Sequence, residues 1–305
     1  MKVALHSISY AGLFYRGPGL SLEEIIPKAA ALGYEGVEVM GKAPVCSPFD
    51  FDERRAQRAV ELAREHGVDL CFFAGYFDLN RPDRVEREKE LVFARESLRL
   101  AGQLGCPYVR VYAGGDHVYE GATLWQQWDW TIEGITRLLP VAQEAGVRLA
   151  LEVHTGVAQN VDTIRAMMLE VGWDAVDICL DAPLLYLRGE PIAESVRLFG
   201  GKIVHSHATD LEILPPMIRY HDVRGLAMSE SPRVASRLMG QGKVPQEEFM
   251  RACYQVGYDR YFAYEVCTPF TVEHRPPTME DVDRMVAQAA GWLKDKRDAI
   301  VKEAM

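Results

Sequence analysis

The sequence predicts an α/β protein, a single (β/α)8 barrel spanning residues 1–305. Three observations carry that reading. Short apolar runs of strand type alternate with longer amphipathic helical stretches along the whole chain, and eight such units is the number that closes a parallel sheet into a barrel. Helical stretches stop on glycine just before the next strand, at Gly33, Gly67, Gly105, Gly146 and Gly257, where a left-handed residue lets the helix end and the chain re-enter the sheet. The turn after the first strand, His6-Ser7-Ile8-Ser9-Tyr10, lacks the Gly-rich phosphate loop that a doubly wound sheet would want.

Each unit has its own signals. Strands are expected at 3–8, 36–40, 68–74, 108–112, 149–153, 175–180, 202–207 and 261–266, where β-branched, aromatic and other apolar residues run together. The first helix starts near Ser21, where Ser-Leu-Glu-Glu fits a capping box. Further helices are expected at 52–66, 82–104, 128–145, 161–171, 192–199, 246–256 and 279–296, the second of these rich in charges spaced to pair along one face. No linker, low-complexity tract or composition shift marks a second domain. Residues 208–244 are long for a connection inside a barrel, and such a loop is expected to be a lid over the active site, disordered, or a contact in a homo-oligomer.

Bulk properties exclude several classes of function. A net charge of −10 argues against a nucleic-acid or anionic-membrane surface, either of which would want clustered Lys and Arg. No apolar run approaches the length of a membrane span, and the chain enters a strand pattern at once without a cleavable signal layout. The six cysteines are scattered, with no Cys-x-x-Cys spacing, and read as reduced thiols of a cytoplasmic protein.

Chemistry is concentrated at the strand ends. The fifth strand, in LALEVHTG, finishes on Glu152, with His154 two residues on. A buried strand has no structural reason to end on a carboxylate and an imidazole. The sixth ends at Asp181 in CLDAP, the seventh at His207 in VHSHATD, the eighth at Glu265 in YEV. Active sites of such barrels sit at the C-terminal ends of the strands, so four consecutive strands point one ligand-type side chain each into one side of the mouth. Three carboxylates so close would repel unless a cation held them, and this donor set suits one hard or borderline divalent ion. Mn2+ is the first choice, with Mg2+, Co2+ and Zn2+ also compatible.

The chain resembles the xylose isomerase-like TIM barrel superfamily of sugar-phosphate isomerases and epimerases, inosose dehydratases and endonuclease IV. The resemblance rests on Glu38 in GYEGVEVM, on RLAGQLGCPYVRV, and on LEVH, CLDAP, VHSHATD and GQGKVPQEEF…GYDRYFAYEV, in order and at similar spacing. It implies that Glu152, Asp181, His207 and Glu265 bind one catalytic metal. It further implies that Glu152 and Glu265 flank a carbohydrate substrate, as the pair that removes and returns a proton in similar epimerases. Two positions depart from the ketose epimerases of that family. Leu184 stands where a substrate-touching histidine is expected three residues after Asp181, and Ile213 where an arginine is expected after His207. Endonuclease chemistry is disfavoured because three zinc ions need more histidines, and DNA a more basic surface.

His154 has three open roles: acid or base, hydrogen-bond donor to substrate, or a group that holds a ligand in place. His6, Glu38, Arg110 and His205 are candidate substrate contacts, with barrel-interior ion pairs or hydrogen-bonded core histidines as the alternatives. Tyr10, Phe14 and Tyr76 could supply an aromatic wall. The function expected is a metal-dependent sugar isomerase or epimerase working through an enediolate. The alternatives are a dehydratase or lyase on an inosose, keto-sugar or keto-glycoside, and a non-catalytic metal-retaining sugar-binding or partner subunit.

Overall fold

In the computed structural model, residues 1–115, 119–214, 218–221, 225–228 and 233–305 are described, so parts of the 208–244 segment lie outside the description. Eight parallel strands close the barrel: β1 (Lys2–His6), β2 (Gly36–Met40), β3 (Asp69–Ala74), β4 (Tyr108–Ala113), β5 (Arg148–Gly156), β6 (Asp177–Cys179), β7 (Ile203–Ala208) and β12 (Tyr261–Tyr264). β1 pairs with both β2 and β12, which shuts the sheet. Helices α1 (Leu22–Ala31), α2 (Glu53–His66), α3 (Arg84–Gln103), α4 (Leu124–Glu144), α5 (Val161–Val171), α7 (Ile192–Phe199), α8 (Gln246–Gln255) and α9 (Met279–Ala304) alternate with the strands. The five glycines expected to end helices all have positive φ, between 66° and 87°.

Alternation along the strands builds the interior. Residues i and i+2 share a face, so Ala4 precedes His6, Ala150 precedes Glu152, Cys179 precedes Asp181 and Ala263 precedes Glu265. Ala4, Cys71, Phe72, Ala150, Cys179 and Ala263 pack together as a separate cluster of small and aromatic residues inside the barrel. The polar members of these pairs lie one step nearer the C-terminal mouth. The opposite faces of the strands carry Val3, Leu5, Val37, Val39, Leu149 and Leu151 into the larger core under the helices.

Three features depart from expectation. Helix α4 begins at Leu124, four residues earlier than the apolar pattern suggests, because Thr123 and Gln126 form a reciprocal capping box. Helix α6 (Ala182–Leu187) was not expected; Asp181 caps it, accepting from the Leu184 amide at 2.7 Å. The 208–244 segment contains two antiparallel ribbons, β8 (Asp210–Leu214) with β11 (Arg233–Arg237) and, between them in sequence, β9 (Ile218–His221) with β10 (Gly225–Met228).

Asp210 fastens the base of this arm. Buried, it accepts from the amides of Gly240 and Gly242 at 2.8 Å each and of Val244 at 3.2 Å. A Cβ on Gly242 would lie 2.0 Å from the Asp210 carboxylate, so only glycine fits there. Asp210→Ala strands three amides and is expected to cost about 3 kcal/mol, read as a lower midpoint in chemical denaturation. An unchanged midpoint would mean that the arm's anchorage lies elsewhere.

Candidate metal centre

His207, at the end of β7, is the hub of the site. Its Nδ1 lies 2.9 Å from Glu152 Oε1 and 3.0 Å from Asp181 Oδ2. These are the distances of hydrogen bonds from a protonated Nδ1, and they are equally compatible with ligands at right angles on an octahedral ion, which sit about 3.0 Å apart. The backbone of α6 orients Asp181, because the Leu184 amide occupies Oδ1 and leaves Oδ2 facing His207. Glu265, one residue beyond β12, joins His207 and His6 in a group whose donor atoms all lie within 4.8 Å of one another. Glu152, Asp181 and Glu265 thus each approach His207, while the donor groups within 4.8 Å of one another among the described residues are His6–His207–Glu265, Glu38–His205–His207 and Glu152–Cys179–His207.

The other nitrogen of His207 looks down the barrel. Nε2 is 3.2 and 3.1 Å from the two oxygens of Glu38. Glu38 also meets His205 Nε2 at 2.8 Å and His6 Nε2 at 3.4 Å. The Ile8 amide donates to His6 Nδ1 at 3.3 Å, which leaves the proton of His6 on Nε2, toward Glu38 and, at 4.0 Å, Glu265. His205 stacks on Phe72 with ring centres 4.0 Å apart. A carboxylate that takes the second nitrogen of a ligand histidine fixes its tautomer and aim.

Charge balance argues for a cation. Glu38, Glu152, Asp181 and Glu265 are all buried, the most accessible of them 8% exposed. Arg110 is the guanidinium set against them, its Nη1 3.4 Å from Glu152 Oε2. Burial opposes ionisation of Glu152, yet Arg110 and then His207 hold its carboxyl far below the usual range. Both Glu152 oxygens nonetheless accept no well-formed hydrogen bond, an arrangement costly for a buried carboxylate without an ion. Burial, reinforced by Asp181, Glu152 and Glu38, pushes Glu265 up to about 7. Burial also opposes a charge on His207, but Cys179, Glu38, Glu265 and Glu152 raise it well above the ordinary imidazole value. Among the described residues Arg110 and, farther out, Arg188 are the permanent cations near these four carboxylates, so a divalent ion at the site would reduce the excess of negative charge.

A cavity of about 380 Å³ opens above these groups, lined by His6, Arg110, Glu152, His154, Asp181 and Glu265 among others. A larger depression of about 740 Å³ lies at the opposite end of the barrel, around Lys2, Asp69 and Tyr261, and gathers none of the strand-end ligands. Glu38 and His205, like His207, are buried and do not line the cavity; the two meet each other at 2.8 Å, the interior pairing given as the alternative to substrate contact. Of the expected aromatic wall, Tyr76 lines the cavity. Tyr10 is buried, donating to Asp283 at 2.6 Å, and Phe14 packs on the main core.

Tyr112 was not among the expected residues. It lies two residues after Arg110 on the same face of β4, so strand alternation alone could have found it; its ring packs 4.6 Å from that of His154. Leu184 and Leu187 of the unexpected helix α6 form another wall, and Leu211 reaches the cavity from the base of the arm. All six cysteines are free thiols. Among the described residues no helix is long and apolar enough to cross a membrane.

Comparison with known proteins places the chain. It is 23% identical over 282 residues to a fructoselysine 3-epimerase of Escherichia coli O157:H7, covering 88% of this chain and 94% of that one. It is 22% identical over 205 residues to an inosose dehydratase of Clostridium perfringens, covering 63% and 64%. A solved structure of L-ribulose 3-epimerase superposes with a TM-score of 0.75 at 16% identity, over 99% of this chain and 96% of that one. The profile of one barrel family matches residues 26–296. The chain belongs to the xylose isomerase-like TIM barrel family.

Proposed function

We propose that the protein is a divalent-metal-dependent isomerase or epimerase that abstracts a proton α to the carbonyl of a sugar or keto-sugar. The observation that carries this reading is the convergence of Glu152, Asp181 and Glu265 on His207 under an open cavity. The alignment with a fructoselysine 3-epimerase along 88% of the chain supports the same class. Glu152, Asp181, His207 and Glu265 would hold the ion, with Mn2+ the first choice and Mg2+, Co2+ or Zn2+ compatible. A bound ion supplies Lewis-acid charge that stabilises the enediolate.

The chain's own residues do the proton work. Glu152 and Glu265 both line the cavity, from barrel strands separated by β6 and β7. One takes the proton from the α-carbon and the other delivers one to the opposite face, which inverts the centre. Arg110 fixes Glu152 from the side, braced by the rings of Tyr76 and Tyr112 at 4.7 and 4.5 Å. Glu38 holds His207 with Nδ1 toward the ion, so Glu38→Gln is expected to weaken Mn2+ binding about 10- to 100-fold in calorimetry. Unchanged affinity would remove Glu38 from the site.

A ketose panel offered in D2O with Mn2+ tests the reading. Deuterium at the carbon α to the carbonyl, absent without the ion, is the expected result; no exchange on any sugar sinks it. One observation favours a second reading: His154 lines the cavity with Glu152, and in that reading it would be the acid that protonates a leaving group. A metal-dependent dehydratase or lyase on an inosose, keto-sugar or keto-glycoside would then form an enone, visible by its absorbance.

A further inference from the structure

Helix α6 turns one apolar side to the cavity. Leu184 and Leu187, three residues apart and so on one side of the helix, both line it, as does Asp181 three residues before them. Leu185 points the other way and is fully buried in the main core. Leu184 and Leu187 are only half-buried, and Leu184 belongs to neither apolar cluster among the described residues. A helix rises about 1.5 Å per residue, so the two leucines stand about 4.5 and 9 Å along the axis from Asp181. Leu211 reaches the same cavity from β8, which packs against α6.

The polar lining comes from elsewhere. His6, Arg110, Glu152, His154 and Glu265 stand at or near the ends of barrel strands, whereas α6 and the arm contribute only apolar side chains among the described residues. A free sugar carries hydroxyls round its whole ring. Any hydroxyl turned to this wall would lose water and find no side-chain partner, which costs free energy. The wall is also held in place: Asp181 caps the start of α6, and Arg188, at its end, donates from Nη1 to the Val153 carbonyl at 2.8 Å. A surface fixed before binding loses little entropy when a ligand covers it.

We propose that Leu184 and Leu187 form a subsite for an apolar substituent. The substrate is a keto-sugar whose carbonyl end lies at Glu152 and Glu265 and whose remote end carries an alkyl or similar apolar group seated on α6. This rests on the carbohydrate reading of the cavity. It narrows the substrate class from free ketoses to keto-sugars with an apolar substituent, keto-glycosides among them.

The test is calorimetric titration of the Mn2+-supplemented protein with methyl and n-butyl 3-keto-β-D-glucosides. Both keep the carbonyl that proton abstraction requires, and they differ only in the length of the alkyl group. Each buried methylene tightens binding about fourfold, so the butyl form is expected to bind at least about tenfold more tightly than the methyl form. Leu184→Ala, which keeps the backbone amide that bonds Asp181, and Leu187→Ala are each expected to cut that ratio at least about threefold. Equal affinity for the two forms, binding of neither, or a butyl advantage unchanged in both variants overturns the subsite. Solvent-deuterium exchange on free ketoses by the parent protein separates the two claims. Exchange leaves the carbohydrate reading standing without the subsite; no exchange, with neither keto-glucoside bound, overturns both.

Discussion

Glu265→Gln is expected to lower turnover about 10³-fold while leaving the protein folded and no less stable. The magnitude follows from removing one of two groups that exchange a proton with the α-carbon, a role worth about 10²- to 10⁴-fold, together with one anionic donor to the ion. The stability follows from sign. Burial pushes Glu265 up to about 7, so the folded metal-free protein disfavours its ionised form. A group with a raised folded value stabilises below its unfolded value, near 4.5, and that stability is lost as pH rises through about 7. Glutamine is neutral throughout and escapes the loss, so the metal-free variant at about pH 8 should melt no lower than the parent. Turnover and thermal denaturation on the same samples check both halves. Full activity in the variant would take Glu265 out of the chemistry, and a large fall in melting temperature would make its role structural.

The second large effect is expected in the pH dependence of metal binding. An ion at His207 Nδ1 and Glu265 displaces whatever protons those atoms carry. His207 is raised well above the ordinary imidazole value, and Glu265 to about 7, so near pH 6 both are protonated in the metal-free chain. Mn2+ binding there should release about two protons and tighten about a hundredfold per pH unit, and the Glu265 proton should drop out of that count as pH rises through about 7. Calorimetry in buffers of different ionisation enthalpy counts the protons directly. Binding without proton release would place the ion away from these two side chains.

Much of this site is legible in the sequence because period-2 alternation and strand ends are local properties. Glu152, Asp181, His207 and Glu265 announce themselves where apolar runs stop. Tyr112 obeys the same rule two residues after Arg110 and needed only the same count. Other features are not local. Glu38 and His205 are 167 residues apart and meet at 2.8 Å; nothing in either strand says that one spends its charge on the other rather than on substrate. Asp181 reads as a ligand, and that reading hides its second use as the cap of α6, the helix that walls the cavity. The barrel itself was readable because its eight units repeat one pattern. The ribbons inserted after β7 were not, because their strands are only four or five residues long, too short for a periodic pattern to stand out.

The central claim is that one divalent ion sits among four strand-end side chains. Crystals grown with Mn2+ and measured for anomalous scattering test it most directly. One strong peak per chain is expected, within about 2.3 Å of His207 Nδ1 and of oxygens from Glu152, Asp181 and Glu265. A barrel mouth without a peak at saturating Mn2+, or an ion bound at other side chains, would contradict it.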